Sequence, residues 1–93
     1  MITTLRRNEA SLRAIGVVGV SLFGSVARGE ARTHSDVDLL LRIDRTQRFS
    51  VFQLAGVIDQ LERILDCPVD VVVDPVTRPD LAREILRDRV DAY

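Results

Sequence analysis

The chain has 93 residues, 46% hydrophobic and 29% charged, which is typical of one globular domain over residues 1–93. A formal net charge of -1 argues against a nucleic-acid binder that relies on a broad basic field. All 13 basic residues are arginine, which excludes lysine chemistry such as Walker A phosphate loops and Schiff bases. The single cysteine, Cys67, permits neither an internal disulfide nor a multi-cysteine zinc site. Because no apolar run is long enough for a membrane span and no signal-peptide pattern is visible, we expect a soluble, cytoplasmic protein.

Hydrophobic periodicity predicts helices that alternate with strands. In chain order, the predicted elements are a helix over Thr3–Ala14, a strand over Val17–Phe23, a strand over Val37–Ile43, a helix over Ser50–Asp66, a strand over Val69–Asp74 and a helix from Pro79 to about Val90. Ser50, followed three residues later by Gln53, fits a capping box at the start of the longest helix. This order predicts a small α/β (α+β) domain, with a mixed sheet of three or more strands and helices on one face.

Three aspartates are predicted to project from a single face of the sheet. Asp36 and Asp38 lie two residues apart, so their side chains stand on one face, roughly 6.5–7 Å apart along the strand. One helix of crossover length leads from this strand to the next, which favours a parallel, adjacent pair and brings Asp70 to the same face. Leu40 and Val72 share that face, and we expect them to be exposed and to suit the docking of a partner.

Converging carboxylates indicate a metal site. Three of them without a matching cation repel one another and raise their own pKa values, and a hard divalent cation such as Mg²⁺ relieves this conflict. Asp36, Asp38 and Asp70 are therefore candidates for metal-assisted phosphoryl or nucleotidyl transfer. Aspartates on a surface strand can also serve solubility alone, and that alternative stays open.

A Gly-Ser pair directly after the first strand is a candidate phosphate site. Gly24 lets the backbone approach a phosphate closely, and Ser25 could cap a short helix that runs through Gly29. Most such pairs are only turns, so this signal is weak by itself.

The spacing of these features resembles a known family. The run GSVARGEARTHSDVDLLL, residues 24–41, resembles the G-S-x10-D-x-D signature of the polymerase-β-like nucleotidyltransferase superfamily. Its finer pattern, G-S-x-A-R-G-x5-S-D-x-D-L, is similar to that of the minimal, MntA-type nucleotidyltransferases. Residues 69–72 (VDVV) resemble the family's third strand, and residues 82–93 resemble its usual final helix.

The resemblance implies roles for individual residues. Gly24 and Ser25 would hold the triphosphate of ATP, while Asp36 and Asp38 would bind two Mg²⁺ ions. Asp70 would be the third carboxylate, acting on the acceptor hydroxyl through the second metal or as a base. Two roles remain open for Arg28, which could reach the phosphates or pair with a structural acid.

The resemblance also implies a partner. In this family the partner is a HEPN-type toxin, and the small protein is an antitoxin that transfers AMP to a tyrosine of the toxin. We therefore expect a hetero-oligomer, with a homodimer as the alternative, and neither direct nucleic-acid binding nor membrane association. A different class of function, a non-catalytic antitoxin that neutralises the toxin by binding and occlusion, stays open beside it.

Overall fold

The computed structural model describes residues 1–29, 36–46 and 48–93. Ser35, which belongs to the nucleotidyltransferase-like motif, lies outside these residues. The helices are α1 Ile2–Arg7, α2 Glu9–Ala14, α3 Gly24–Ala27, α4 Val51–Leu65 and α5 Pro79–Asp88, and the strands are β1 Val17–Phe23, β2 Val37–Ile43, β3 Val69–Val73 and β4 Val90–Asp91. In the described part of the chain, no helix is both long and apolar enough to cross a membrane.

The four strands form one mixed sheet in the order β3-β2-β1-β4. β1 is antiparallel to both of its neighbours, whereas β2 and β3 are parallel, as the crossover through α4 predicts. The capping box that starts α4 is present: the Gln53 amide donates to Ser50 Oγ at 3.2 Å, and the Ser50 amide donates to Gln53 Oε1 at 2.6 Å. The predicted fold class, a small α+β domain with a mixed sheet, is confirmed.

Both chain ends differ from the predicted helices. The first helix is interrupted at Asn8, whose side-chain Nδ2 donates to the Thr4 carbonyl at 2.8 Å and so competes with the helical backbone. The last helix ends at Asp88, close to the predicted end at about Val90, but short of residue 93, to which the resemblance extended the final helix. The chain then forms β4, which pairs with β1 through Ser21 and Leu22.

The main core lies between one face of the sheet and helices α1, α2 and α4. These helices contribute buried leucines and a valine, and the strands contribute the alternate residues that sequence periodicity assigns to the inner face. The fully or almost fully buried members of this core are Leu5, Leu12, Val17, Val20, Leu22, Val37, Leu39, Leu41, Val57, Leu61 and Ala92.

A second, smaller core covers the opposite face of the sheet, so the prediction that helices lie on one face alone is wrong. Ile85 of α5 packs there with Phe23 and Leu40, and Val72 packs against the same cluster. Leu40 is only 3% exposed, so the expectation that Leu40 and Val72 are free to dock a partner is wrong. Helices therefore cover both faces, because the amphipathic helix α5 buries its own apolar side on this cluster.

Candidate active site

Asp38 and Asp70 are neighbours across the parallel pair of strands. They are partners in the β2–β3 register, and Leu40 and Val72 are partners two residues further on. The residues on either side of Asp38, Val37 and Leu39, are buried in the main core, so Asp38 points to the opposite face. The structure thus brings Asp38 and Asp70 together on the face that α5 crosses. Asp36 precedes β2 by one residue and is exposed.

The electrostatics of Asp38 confirm that several acids lie near it. Partial burial raises the pKa of the Asp38 carboxyl above its usual value, and the negative charges of Asp70, Glu84 and Asp36 raise this pKa further. Arg28 acts in the opposite direction and lowers it. The ionised form of Asp38 is therefore held in a field that favours a nearby cation.

Glu84 is an acid of this site that sequence reasoning missed. It lies on α5 immediately before Ile85, the residue that anchors this helix to Phe23 and Leu40. The only sequence signal was its place beside the apolar stripe of a helix, and that pattern does not say which face of the sheet the helix covers. The position of α5 brings Glu84 within electrostatic range of Asp38.

The donor chemistry at this face fits magnesium. Asp36, Asp38, Asp70 and Glu84 offer only carboxylate oxygens, the ligands that Mg²⁺ prefers. The charges of the other three acids raise the pKa of Asp38. Over residues 1–29, 36–46 and 48–93, no three His, Cys, Asp or Glu side chains stand close enough together to form a complete metal-ligand set. Asp36, Asp70 and Glu84 are therefore near enough to influence Asp38 without forming such a set with it.

The Gly24–Ser25 turn lies directly against Asp38. Gly24 adopts a φ of 74°, in the left-handed region that favours glycine. A Cβ added there would collide with Asp38 Oδ2 and stand 3.1 Å from Asp38 Cγ. Alanine at this position would therefore be strained in its backbone, and the Asp38 carboxylate would have to shift to make room.

The half-buried Ser25 does not cap the short helix, and this expectation is wrong. α3 already begins at Gly24, with Phe23 at the N-cap position and no side-chain capping bond, so Ser25 lies within the first turn. The helix ends at Ala27 rather than running through Gly29, which has a φ of 75°.

Arg28 forms an ion pair with the last residue of α5. Its Nη1 atom lies 2.5 Å from Asp88 Oδ2. This is the second of the two roles left open for Arg28, a pair with a structural acid. Hydrogen bonds from Arg87, and then the bond and charge of Arg28, lower the pKa of the Asp88 carboxyl.

This mixed sheet, with aspartates of a parallel strand pair beside a Gly-Ser turn, has the fold predicted for a nucleotidyltransferase. The profile of the nucleotidyltransferase domain family matches residues 5–92, and the chain belongs to this family. The protein is accordingly a nucleotidyltransferase.

One individual protein and one solved structure are similar to this chain. The protein adenylyltransferase MntA of Thermococcus cleftensis is 34% identical over 89 residues, which are 96% of this chain and 87% of the relative. A solved structure provisionally described as a minimal nucleotidyltransferase is also 34% identical, with a TM-score of 0.72 over 96% of this chain and 93% of the other. The chain is similar to both along almost its whole length, as the resemblance to minimal nucleotidyltransferases predicts.

A more distant structure shares the fold alone. It is a complex of the tri-AMPylated Shewanella oneidensis HEPN toxin with an MNT antitoxin, at 17% identity and a TM-score of 0.67. The match covers 100% of this chain and 72% of that chain.

Proposed function

We propose that this nucleotidyltransferase is a metal-dependent protein adenylyltransferase. It transfers AMP from ATP to a hydroxyl of a HEPN-type toxin and thereby acts as the antitoxin. The observation that carries the proposal is the pairing of Asp38 with Asp70 beside the Gly24–Ser25 turn. The relative at 34% identity, a protein adenylyltransferase, supports a protein as the acceptor.

Asp36, Asp38 and Asp70 are the proposed magnesium ligands, for two ions. When bound, magnesium supplies positive charge that neutralises the phosphate oxygens and the charge that develops on them. The donor set of this face fits that role because it consists of carboxylates, with Arg28 as the cation that lowers the pKa of Asp38.

Residues of the chain itself bind the nucleotide and accept the proton. Backbone amides at Gly24, with the Ser25 hydroxyl, hold the triphosphate next to Asp38. The acceptor oxygen forms a bond to the α-phosphorus while the bond from the α-phosphorus to the bridging oxygen breaks, and pyrophosphate leaves. Asp70 is the proposed acceptor of the hydroxyl proton.

The test is transfer of AMP to a protein. The purified chain is mixed with ATP, Mg²⁺ and a HEPN-type toxin, and the intact mass of that toxin is measured. We expect a gain of one or more AMP units that requires Mg²⁺. The Asp36→Asn/Asp38→Asn variant should lose this transfer, while Asp59→Asn, which changes an exposed acid of α4 in the same way, should retain it. No mass gain with folded components would contradict the proposal.

A growth assay separates transfer from occlusion. The Asp36→Asn/Asp38→Asn/Asp70→Asn variant is produced together with the toxin, and growth is compared with that of cells producing the unaltered chain. Loss of protection, with the complex between the two proteins still formed, is expected if AMP transfer neutralises the toxin. Full protection by the variant would show that binding alone is sufficient.

A further inference from the structure

Asp88 is a charged side chain that the fold withdraws almost completely from solvent. Its side chain is 3% exposed, yet its carboxylate accepts hydrogen bonds from two arginines. Arg28 Nη1 lies 2.5 Å from Oδ2, while Arg87 donates through Nε and Nη2 at 2.9 and 3.1 Å. A buried carboxylate is costly unless it is paired, so this arrangement links the arginines firmly to the end of α5.

The two arginines differ in their surroundings. The Arg87 side chain is 67% exposed and belongs to the residue next to Asp88, so its bonds to Asp88 stay within α5. The Arg28 side chain is 33% exposed and lies 60 residues away in sequence. Its ion pair is less screened by water and connects two separate elements, α3 and α5.

Arg28 is in turn coupled to the Gly24–Ser25 turn. The Arg28 amide donates to the Gly24 carbonyl at 3.1 Å, closing the short helix, and α3 contacts β1, β2 and α5. Gly24 lies against the Asp38 carboxylate. At the other end of this chain of contacts, Ile85 anchors α5 to the sheet through Phe23 and Leu40.

We infer that Asp88 is a positioning residue for nucleotide binding. By holding Arg28, it fixes the Gly24–Ser25 turn against Asp38 in the conformation that accepts the triphosphate. The inference rests on the proposed function for the identity of what the turn binds. Asp88 itself touches neither nucleotide nor acceptor and acts through Arg28.

The Asp88→Asn variant removes the negative charge of this side chain and keeps its shape. Asp88→Asn is compared with the unaltered chain for AMP transfer as a function of ATP concentration, and for affinity toward a non-hydrolysable ATP analogue with Mg²⁺ by calorimetry. We expect the KM for ATP and the dissociation constant of the analogue to rise about tenfold, with kcat within about twofold. A purely structural role would lower the thermal midpoint and the active fraction, and hence the apparent kcat, without moving KM.

Four further variants test the inference. Asp59→Asn breaks an exposed pair with Arg63 on α4 and should leave the nucleotide affinity unchanged. Arg28→Gln should raise KM at least as much as Asp88→Asn, and the double variant should raise it little beyond Arg28→Gln alone, because both single changes remove the same ion pair. Arg87→Gln, which leaves the Arg28 pair in place, should raise KM less than twofold. An equal or larger rise for Arg87→Gln than for Arg28→Gln would overturn the inference.

The outcomes keep the two proposals distinct. If the unaltered chain binds the analogue but transfers no AMP, the proposed function fails, and the affinity of Asp88→Asn still decides the inference. If the unaltered chain transfers AMP and Asp88→Asn binds the analogue as well as it does, the inference alone fails. If Asp88→Asn does not fold, Arg28→Gln replaces it, and an unchanged KM for that variant contradicts the inference. A chain that neither transfers AMP nor binds the analogue would overturn both.

Discussion

Asp38 and Asp70 stand opposite each other on neighbouring parallel strands, with their side chains on the face that α5 crosses. Two acids at adjacent positions repel each other, and burial together with the charge of Asp70 raises the pKa of Asp38. A fold gains nothing in stability from this arrangement. Clusters of this kind are typical of sites where function outweighs stability.

Replacing Asp70 should separate activity from stability. We expect Asp70→Asn to lower AMP transfer at least about 100-fold, because a proposed metal ligand and proton acceptor is lost. The same change relieves the repulsion at Asp38, so the free energy of unfolding without metal should rise by about 0.5 kcal/mol. Transfer kinetics and urea denaturation measure the two effects.

Asp74 provides the matched control for this prediction. It follows β3 and is exposed, and its backbone amide donates to the Leu41 carbonyl at 2.9 Å. Asp74→Asn leaves that backbone bond in place and should retain activity within about twofold. Equal losses of transfer in the Asp70 and Asp74 variants would contradict the assignment of Asp70 to the site.

Magnesium should stabilise the folded chain through the carboxylates around Asp38. A ligand that binds only the folded state at ten times its dissociation constant adds about 1.4 kcal/mol to the free energy of unfolding. For a domain of this size, the thermal midpoint should rise by roughly 6–10 °C. The measurement is a thermal unfolding series with increasing MgCl₂, with KCl at equal ionic strength as the control for screening. Asp38→Asn should lose most of the rise, and an equal rise in that variant would place the ion elsewhere.

Alanine substitutions at Gly24 and Gly29 form a matched pair. Both have φ near 75°, so alanine at either position is strained and should cost about 1 kcal/mol of stability. At Gly24 the new Cβ meets Asp38, whereas at Gly29 it meets no described residue within 4 Å. Asp38 must move to make room, so Gly24→Ala should also lower transfer about 100-fold. Urea denaturation and transfer kinetics give the two quantities, and similar transfer by both variants would contradict the close approach.

The bond between Ser21 and Asp91 predicts a pH-dependent contribution to stability. Ser21 Oγ donates to Asp91 Oδ1 at 2.5 Å and, together with Arg89, lowers the pKa of the Asp91 carboxyl. A lowered pKa means that ionised Asp91 stabilises the fold above the ordinary value of 3.8, and that this contribution is lost as the pH falls through the lowered pKa. Ser21→Ala should therefore cost about 1 kcal/mol at neutral pH and progressively less in acid.

Urea denaturation at neutral and at acidic pH measures this difference. The Asp91→Asn background supplies the control, because the hydroxyl no longer has a carboxylate to bind. Ser21→Ala should cost less in that background than in the unaltered chain. A cost that is the same in both backgrounds, or that does not change in acid, would show that Ser21 acts by packing alone.

Local patterns predicted the parts of this fold that depend on near neighbours. Strand alternation placed Asp38 opposite the core residues Val37 and Leu39, because successive side chains of a strand point to opposite faces. Ser50 and Gln53 marked the start of α4 for a similarly local reason, since the capping box closes within four residues. The interruption at Asn8 was missed, although it too is local, because a side-chain bond to the backbone leaves no periodic signal.

Only the tertiary structure decided which helix crosses the face of the sheet that carries Asp38 and Asp70. The sequence by itself determined the family motif, the parallel strand pair and the shared face of Asp38 and Asp70, all of which follow from short-range periodicity and one crossover helix. The burial of Leu40, the approach of Glu84 and the pair between Arg28 and Asp88 depend on where α5 packs. Contacts across 60 residues, such as that pair, arise from the burial of an amphipathic helix on a particular surface, and the periodicity of the helix does not specify that surface.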